Sequence, residues 1–288
     1  MHVAHALAGS SVRAAAAVSP DWGAAIALPL FAYVSRPRPV RPDDEPTMWR
    51  ARRSTVRIAG VERRGVDVAV YEWGTGERTI VLAHGWTGRA SQFATLVREL
   101  VAAGFRVIAF DGPAHGESQG RRTYLVDWSD VLAALQSRRG RFAAVVGHSF
   151  GGLAALVSVA GGIESDRVVT VASPADAELL FAQFQLMLRY GDDVTRALSA
   201  RFAGRYFPAE LDPFGRLSAV RRFLPGTPLL VVHDDGDPTV PVGEAARIAD
   251  ANPGAISLVT SGLGHSRILR SDAFLDAVLE FLAVPARV

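Results

Sequence analysis

The residues best suited to chemistry in this chain lie in Gly147-His148-Ser149-Phe150-Gly151-Gly152. An apolar run, Phe142 to Val146, precedes them and reads as a buried strand; Leu153 to Val157 follows and reads as a helix packed on that strand. A serine on so sharp a strand-to-helix turn has its hydroxyl pushed out of the sheet and into a cleft. Glycines are needed on either side because a side chain there would strike its neighbours. This is the G-x-S-x-G arrangement of a nucleophilic serine, in the strand–turn–helix context that gives the pattern meaning.

A serine hydroxyl alone is a poor nucleophile at neutral pH. It needs a base within hydrogen-bond reach and an acid that orients the base. On an elbow of this kind the partners follow the serine in the order acid, then histidine. After Ser149 the chain has two histidines, His233 and His265. His233 falls at a strand end, ahead of Asp234-Asp235-Gly236-Asp237-Pro238-Thr239-Val240-Pro241. His265 lies in Ser261-Gly262-Leu263-Gly264-His265-Ser266, a glycine-flanked loop able to bring an imidazole over the cleft. His265 is therefore the expected general base. Asp234, Asp235 and Asp237 are candidates for the acid. Asp237, held by Pro238 and Val240-Pro241, is best placed to turn back, and Asp235 is its main rival.

Acyl chemistry also needs two donors aimed at a developing oxyanion. The amide of Phe150 is one. The other is expected in the loop His84-Gly85-Trp86-Thr87-Gly88, with the Trp86 amide as donor and its ring as pocket wall. The turn-rich segment Asp111 to Ser118 carries His115, which precedes the serine and is read as structural. His84 and His148 are read as packing residues beside the site. No pattern of carboxylates and histidines suggests a metal.

Alternating elements must position these groups. Thr55–Ala59 and Val66–Trp73 read as paired strands around a turn at Glu62-Arg63-Arg64-Gly65. Further strands are expected at 78–83, 105–110, 142–146, 167–172, 228–232 and 255–260. Helical spacing is expected at 90–103, 124–136, 242–251 and 272–282. Such alternation implies an α/β fold, a mostly parallel sheet covered by helices on both faces. The stretch 176–224 breaks it, reading as helical throughout with interruptions near Gly191 and Pro208 to Pro213. The expected organisation is an extension over 1–48, a core formed by 49–174 and 225–288, and a helical lid over 175–224.

Composition narrows the function classes. The chain has 288 residues, and a hydrophobic content of 49% is ample for a large core. It has no cysteine, which excludes disulfides, thiolate zinc sites and a cysteine nucleophile, and fits a cytoplasmic protein. Net charge is +2, with a basic set made wholly of arginine. Arginines are denser between Arg36 and Arg64; they read as a solvated basic face, and no nucleic-acid module is recognisable. Trp22 to Val34 is apolar but shorter than the ~20 residues a membrane span needs. It reads as a helix docked on the main domain and ended by the Pro-rich stretch 35–42, with membrane-surface association the lesser alternative. Arg13 before Ala14 to Val18 is a poor match to a secretory leader.

Taken together, His84-Gly85-Trp86, Asp111 to Ser118, the turn around Ser149, His233 to Pro241 and Gly264-His265 resemble the α/β-hydrolase superfamily. The resemblance covers about Thr55 to Leu282 and is strongest toward lid-bearing bacterial esterases and the lysophospholipase or monoacylglycerol-lipase-like group. That group often carries H-G-x-x-D before the Val-Pro pair, whereas Asp234 stands here in place of the glycine. The resemblance implies cleavage of a small-molecule carboxylic ester without a cofactor. Serine at 149 does not support the reactions of relatives that use an aspartate nucleophile. Trp86, Leu180, Phe181, Phe184 and Met187 are the candidate contacts for an apolar acyl or alcohol group of short to medium length. Thioester or lactone hydrolysis, acyl transfer to an alcohol and C–C cleavage on the same residues remain rivals, as does a ligand receptor that has kept the fold. The sequence leaves the oligomeric state open.

Overall fold

The computed structural model describes residues 2–35, 38–61, 63–224 and 226–283. Part of the Pro/Arg-rich stretch (Arg36, Pro37) and one residue of the first expected turn (Glu62) lie outside the described residues.

Eight strands form one sheet: β1 Arg52–Ile58, β2 Val66–Trp73, β3 Thr79–Ala83, β4 Arg106–Phe110, β5 Ala144–His148, β6 Val168–Val171, β7 Leu229–Asp234 and β8 Ile256–Thr260. Their order is β1-β2-β4-β3-β5-β6-β7-β8. β1 and β2 pair antiparallel, as do β2 and β4, and every pairing from β4 through β8 is parallel. β3, β5, β6 and β7 are buried along their whole length. That follows from near-continuous runs such as Thr79-Ile80-Val81-Leu82-Ala83, because a parallel strand has both faces covered.

The helices are α1 His2–Ala16, α2 Pro20–Phe31, α3 Glu45–Trp49, α4 Ala94–Ala102, α5 Leu125–Arg139, α6 Phe150–Ala160, α7 Ala177–Leu188, α8 Asp192–Tyr206, α9 Pro213–Arg216, α10 Gly243–Ala251, α11 Gly264–Arg267 and α12 Asp272–Ala283. No helix among the described residues is long and apolar enough to cross a membrane.

Two compact units result. One contains residues 1–33 and 176–217; the other contains 34–175 and 218–288 and holds the sheet. In the smaller unit the aromatic residues of α2, α7 and α8 interlock. The Phe31 ring centroid lies 4.3 Å from that of Phe181, 5.1 Å from Phe184 and 6.0 Å from Phe202. α1 closes on the end of α7, where Arg13 Nη1 donates to the Leu188 carbonyl at 2.7 Å, satisfying a carbonyl the helix leaves unpaired. Phe31, in the apolar segment after Trp22, thus packs on α7 and α8. In the other unit one core layer joins Ile80, Leu82, Phe93, Leu96, Leu100, Val146 and Phe274.

Several boundaries differ from the sequence reading. The strand before the serine runs from Ala144 to His148, and Phe142 makes only an isolated bridge to Ser165. Residues 217–224 turn rather than continue a helix. His265 sits in a single helical turn, α11, and not in an open loop.

Candidate active site

The sheet sets the geometry of Ser149. β5 ends at His148 and α6 begins at Phe150, so one residue makes the whole reversal. Ser149 adopts φ 53° and ψ −123°, a left-handed conformation that is costly for a residue with a Cβ and is held only by surrounding structure. The flanking glycines permit it. A Cβ on Gly147 would lie 2.3 Å from the Gly151 carbonyl oxygen, and one on Gly151 would lie 2.1 Å from that of Ala83. Gly151→Ala is expected to destabilise the fold by about 3 kcal/mol, since only backbone could give way. Urea unfolding of the purified variant measures this.

His265 and Asp237 meet Ser149. Ser149 Oγ donates to His265 Nε2 at 3.0 Å, and His265 Nδ1 donates to Asp237 Oδ2 at 2.7 Å. The Asp237 side chain is fully buried, the His265 ring is mostly buried, and Ser149 retains 9% exposure. Asp237 also accepts from the amides of Thr239 and Val240 through Oδ1, at 2.7 and 3.1 Å. Burial alone would raise the Asp237 pKa. The hydrogen bonds from His265, Thr239 and Val240 outweigh it and hold the carboxyl below its ordinary range.

The neighbouring aspartates do other work. Asp235 Oδ2 accepts from Ser261 Oγ at 2.6 Å. Asp234 Oδ2 accepts from Thr260 Oγ1 at 2.8 Å and from the Leu263 amide at 2.9 Å, tying the end of β7 to the segment that carries His265. Burial opposes its charge, but donors from Gly264, Leu263, Thr260 and Gly236 leave its pKa lowered. A carboxyl whose folded pKa is depressed stabilises the fold above its unfolded value near ~4, and that contribution is lost as pH falls through the folded value. Asp234→Asn should therefore lower the urea midpoint at pH 7 and lose less stability than wild type between pH 5 and 3.

Residues the sequence reading treated as packing hold the candidate groups in place. His148 Nε2 donates to the His265 carbonyl oxygen at 2.8 Å, and Gln92 Nε2 donates to His148 Nδ1 at 2.9 Å. This chain fixes the backbone of the very residue whose ring faces Ser149. Burial, reinforced by the nearby His265, lowers the His148 pKa to about 3 and keeps it neutral. The only signal in the sequence was its place next to Ser149; nothing marked Gln92. His233 donates through Nε2 to the Val240 carbonyl at 2.9 Å, with Asp237 Oδ2 3.6 Å away.

The loop 84–88 is braced from below. Gly112 N donates to His84 Nε2 at 2.8 Å, and Thr87 N donates to His115 Nε2 at 3.1 Å. Burial lowers the pKa of both imidazoles to about 3, so both remain acceptors near neutral pH. Asp111 accepts from Ala90 N at 2.7 Å and from Tyr71 Oη at 3.0 Å. Gly85 is required because a Cβ there would lie 2.8 Å from His148 Nδ1 and 3.1 Å from Ser149 Cβ. Among the described residues, the Trp86 and Phe150 amides make no hydrogen bond to other backbone groups. Their rings lie 5.1 Å apart, with Trp86 half-buried.

The other expected substrate contacts belong to the smaller unit. Phe181 and Phe184, 2% and 7% exposed, form part of its aromatic core. Leu180 is half-buried, and Met187 is 44% exposed. No cluster of three or more histidine, aspartate or glutamate residues able to hold a metal occurs among the described residues.

Comparison with known proteins agrees with this architecture. A Pyrococcus furiosus esterase superimposes with a TM-score of 0.60 at 21% identity, covering 87% of this chain and 98% of that one. A monoacylglycerol lipase from Mycolicibacterium smegmatis is 33% identical over 109 residues, 35% of this chain and 39% of its own length. The dihydrolipoyllysine-residue acetyltransferase component of an acetoin cleaving system from Cupriavidus necator is 30% identical over 259 residues, 75% of this chain and 66% of its own. For the lipase and two further curated relatives, the matched stretch is about a third of the relative's length. The profile of the alpha/beta hydrolase family matches residues 80–277, which take in the serine turn, the aspartate loop and His265. With that match spanning more than half its length, and with this sheet order, the chain belongs to the alpha/beta hydrolase family.

Proposed function

We propose that this chain is a serine hydrolase that cleaves carboxylic esters by two-step acyl transfer. The observation that carries the reading is the unbroken hydrogen-bonded series Ser149–His265–Asp237, in which the serine keeps 9% exposure and the last carboxylate is fully buried. Ser149 Oγ attacks the carbonyl carbon while His265 Nε2 takes its proton. Asp237 keeps the imidazole in the Nδ1–H tautomer and stabilises the imidazolium that forms. The amides of Trp86 and Phe150 receive the negative oxygen of the tetrahedral intermediate, a role favoured by their lack of backbone acceptors. His265 then protonates the leaving alcohol. Water, activated by the same imidazole, releases the acid and restores the serine.

Short to medium acyl esters are the expected substrates, with the Trp86 ring as one wall of the acyl or alcohol pocket. The test is a chain-length series of nitrophenyl esters, run beside a thioester and a lactone, on wild type and Ser149→Ala in parallel. Activity confined to the acetate would contradict the apolar preference.

Acyl transfer is the second reading, favoured by the acetyltransferase match over three quarters of the chain. It uses the same acylated Ser149, with an alcohol in place of water. Formation of a new ester when an alcohol is added to the assay distinguishes it from hydrolysis.

A further inference from the structure

The arginines that look dispersed along the sequence converge. Arg38 and Arg41 come from the segment before β1, Arg89 from the loop after β3, and Arg267 and Arg270 from the segment after His265. All five line one cavity of about 170 Å³, together with Asp44, Gly88, Gln92, His148 and Ser266. The volume is several times the roughly 30 Å³ of a water molecule in the liquid, enough for a phosphate-sized group.

Among the described residues the carboxylate in that lining is Asp44, and it is engaged: Arg270 Nη2 donates to Asp44 Oδ2 at 2.7 Å. Arg89 is held in place rather than solvated. Its side chain is 12% exposed, its Nη1 donates to the Arg38 carbonyl at 3.4 Å, and its Nη2 lies 3.5 Å from Asp111 Oδ2. Its Nε is buried without a hydrogen-bond partner among the described residues. Arg267 is steadied by a bond from Nη2 to the Gly262 carbonyl at 2.7 Å. Asp44 pairs with Arg270, and Asp111 and Glu117 lie near Arg89; beyond these, five guanidinium groups around one cavity attract a further anion. Guanidinium forks match the paired oxygens of phosphate, and a doubly charged group gains most from several of them.

The cavity also adjoins the candidate reaction centre. His148 precedes Ser149, Ser266 follows His265, and Gly88 closes the loop that holds the Trp86 amide. We infer that this arginine-lined cavity is a phosphate-binding subsite beside Ser149, taking either the phosphate of an anionic ester substrate or free phosphate. The binding itself is independent of the hydrolase reading; only the assignment to substrate rests on it.

The test has two arms. In the first, inorganic phosphate is titrated calorimetrically into wild type, Ser149→Ala and the double variant Arg41→Gln/Arg267→Gln, whose two arginines are exposed and whose folding is checked by circular dichroism. Wild type and Ser149→Ala should bind alike, and the double variant at least about tenfold more weakly. No heat at millimolar phosphate in wild type, or equal affinity in the folded double variant, overturns the site.

The second arm compares kcat/KM for a butyryl glycerol ester and for its phosphate-bearing counterpart. A preference of at least about tenfold for the phosphorylated ester, collapsing in the double variant, assigns the subsite to the substrate. Equal values, with phosphate altering turnover of the neutral ester, assign it to free phosphate. Absence of all turnover in wild type would sink the ester reading, while the calorimetric result would still stand or fall by itself.

Discussion

Replacing Ser149 with alanine should lower ester turnover by about 10⁴- to 10⁶-fold while leaving the fold intact. In the proposed mechanism the Ser149 hydroxyl is the group that forms a covalent bond to the acyl carbon. The residual rate would come from substrate binding and the two amides alone. Ser149 carries left-handed backbone strain, and alanine places the same Cβ in that conformation, so the thermal midpoint should change little. A fluorophosphonate probe gives a second readout. It should label wild type once and leave the variant unlabelled, because labelling requires an activated serine. Retention of full esterase activity by the variant, or labelling of a different residue, would refute the proposed mechanism.

Asp237→Asn should cost about 10⁴-fold in kcat with little change in KM. The carboxylate accepts from His265 Nδ1 at 2.7 Å and from two backbone amides, all three bonds directed at its negative charge. An asparagine carboxamide of the same shape offers one acceptor oxygen and a pair of N–H donors. Two demands compete for that oxygen: His265 Nδ1–H on one side and the Thr239 and Val240 amides on the other. If the amides win, the carboxamide NH₂ faces the ring and favours the tautomer with its proton on Nε2, where it can no longer accept from Ser149. The charge that balances the imidazolium is lost in either case. The expected signature is a large fall in kcat that partly recovers at alkaline pH, where hydroxide can substitute for the base. A fall of less than tenfold would show that Asp237 is not the orienting acid.

The two substitutions probe different links of one chain, so their effects should not add. Once Ser149 is alanine, Asp237→Asn should have almost no further effect on turnover.

The candidate serine was legible in the sequence because its turn depends on local geometry. The turn at Ser149 must be made in one residue, and Gly147 and Gly151 mark it because no side chain fits there. The parallel sheet was legible from runs such as Val145-Val146, apolar on both faces. His265 and Asp237 could be named because few candidates follow the serine. Asp235 and Asp237 are separated by a single residue and in sequence differ only in which way the turn points them.

Other features were not legible, for reasons that are equally physical. His148 looked like packing, yet its ring spans to the His265 carbonyl and is held there by Gln92. That bond joins residues 117 positions apart, and no periodicity encodes it. The apolar spacing of α2 does not name its partners: Phe31 packs on rings of α7 and α8. Phe181 and Phe184 lie in an aromatic cluster with Phe31, which no local pattern marks.

By itself, then, the order of residues determined the strand–turn–helix at Ser149, the mostly parallel sheet, and the short set of candidate groups for the proposed acyl chemistry. Only the tertiary structure decided which aspartate faces His265, what holds His265 in place, and that Arg38, Arg41, Arg89, Arg267 and Arg270 share one cavity. Steric limits and apolar patterning act between near neighbours in the chain and so leave a mark on the sequence. Hydrogen bonds and charge clusters form between groups brought together by folding, and their partners can be recognised only once the sheet has set them side by side.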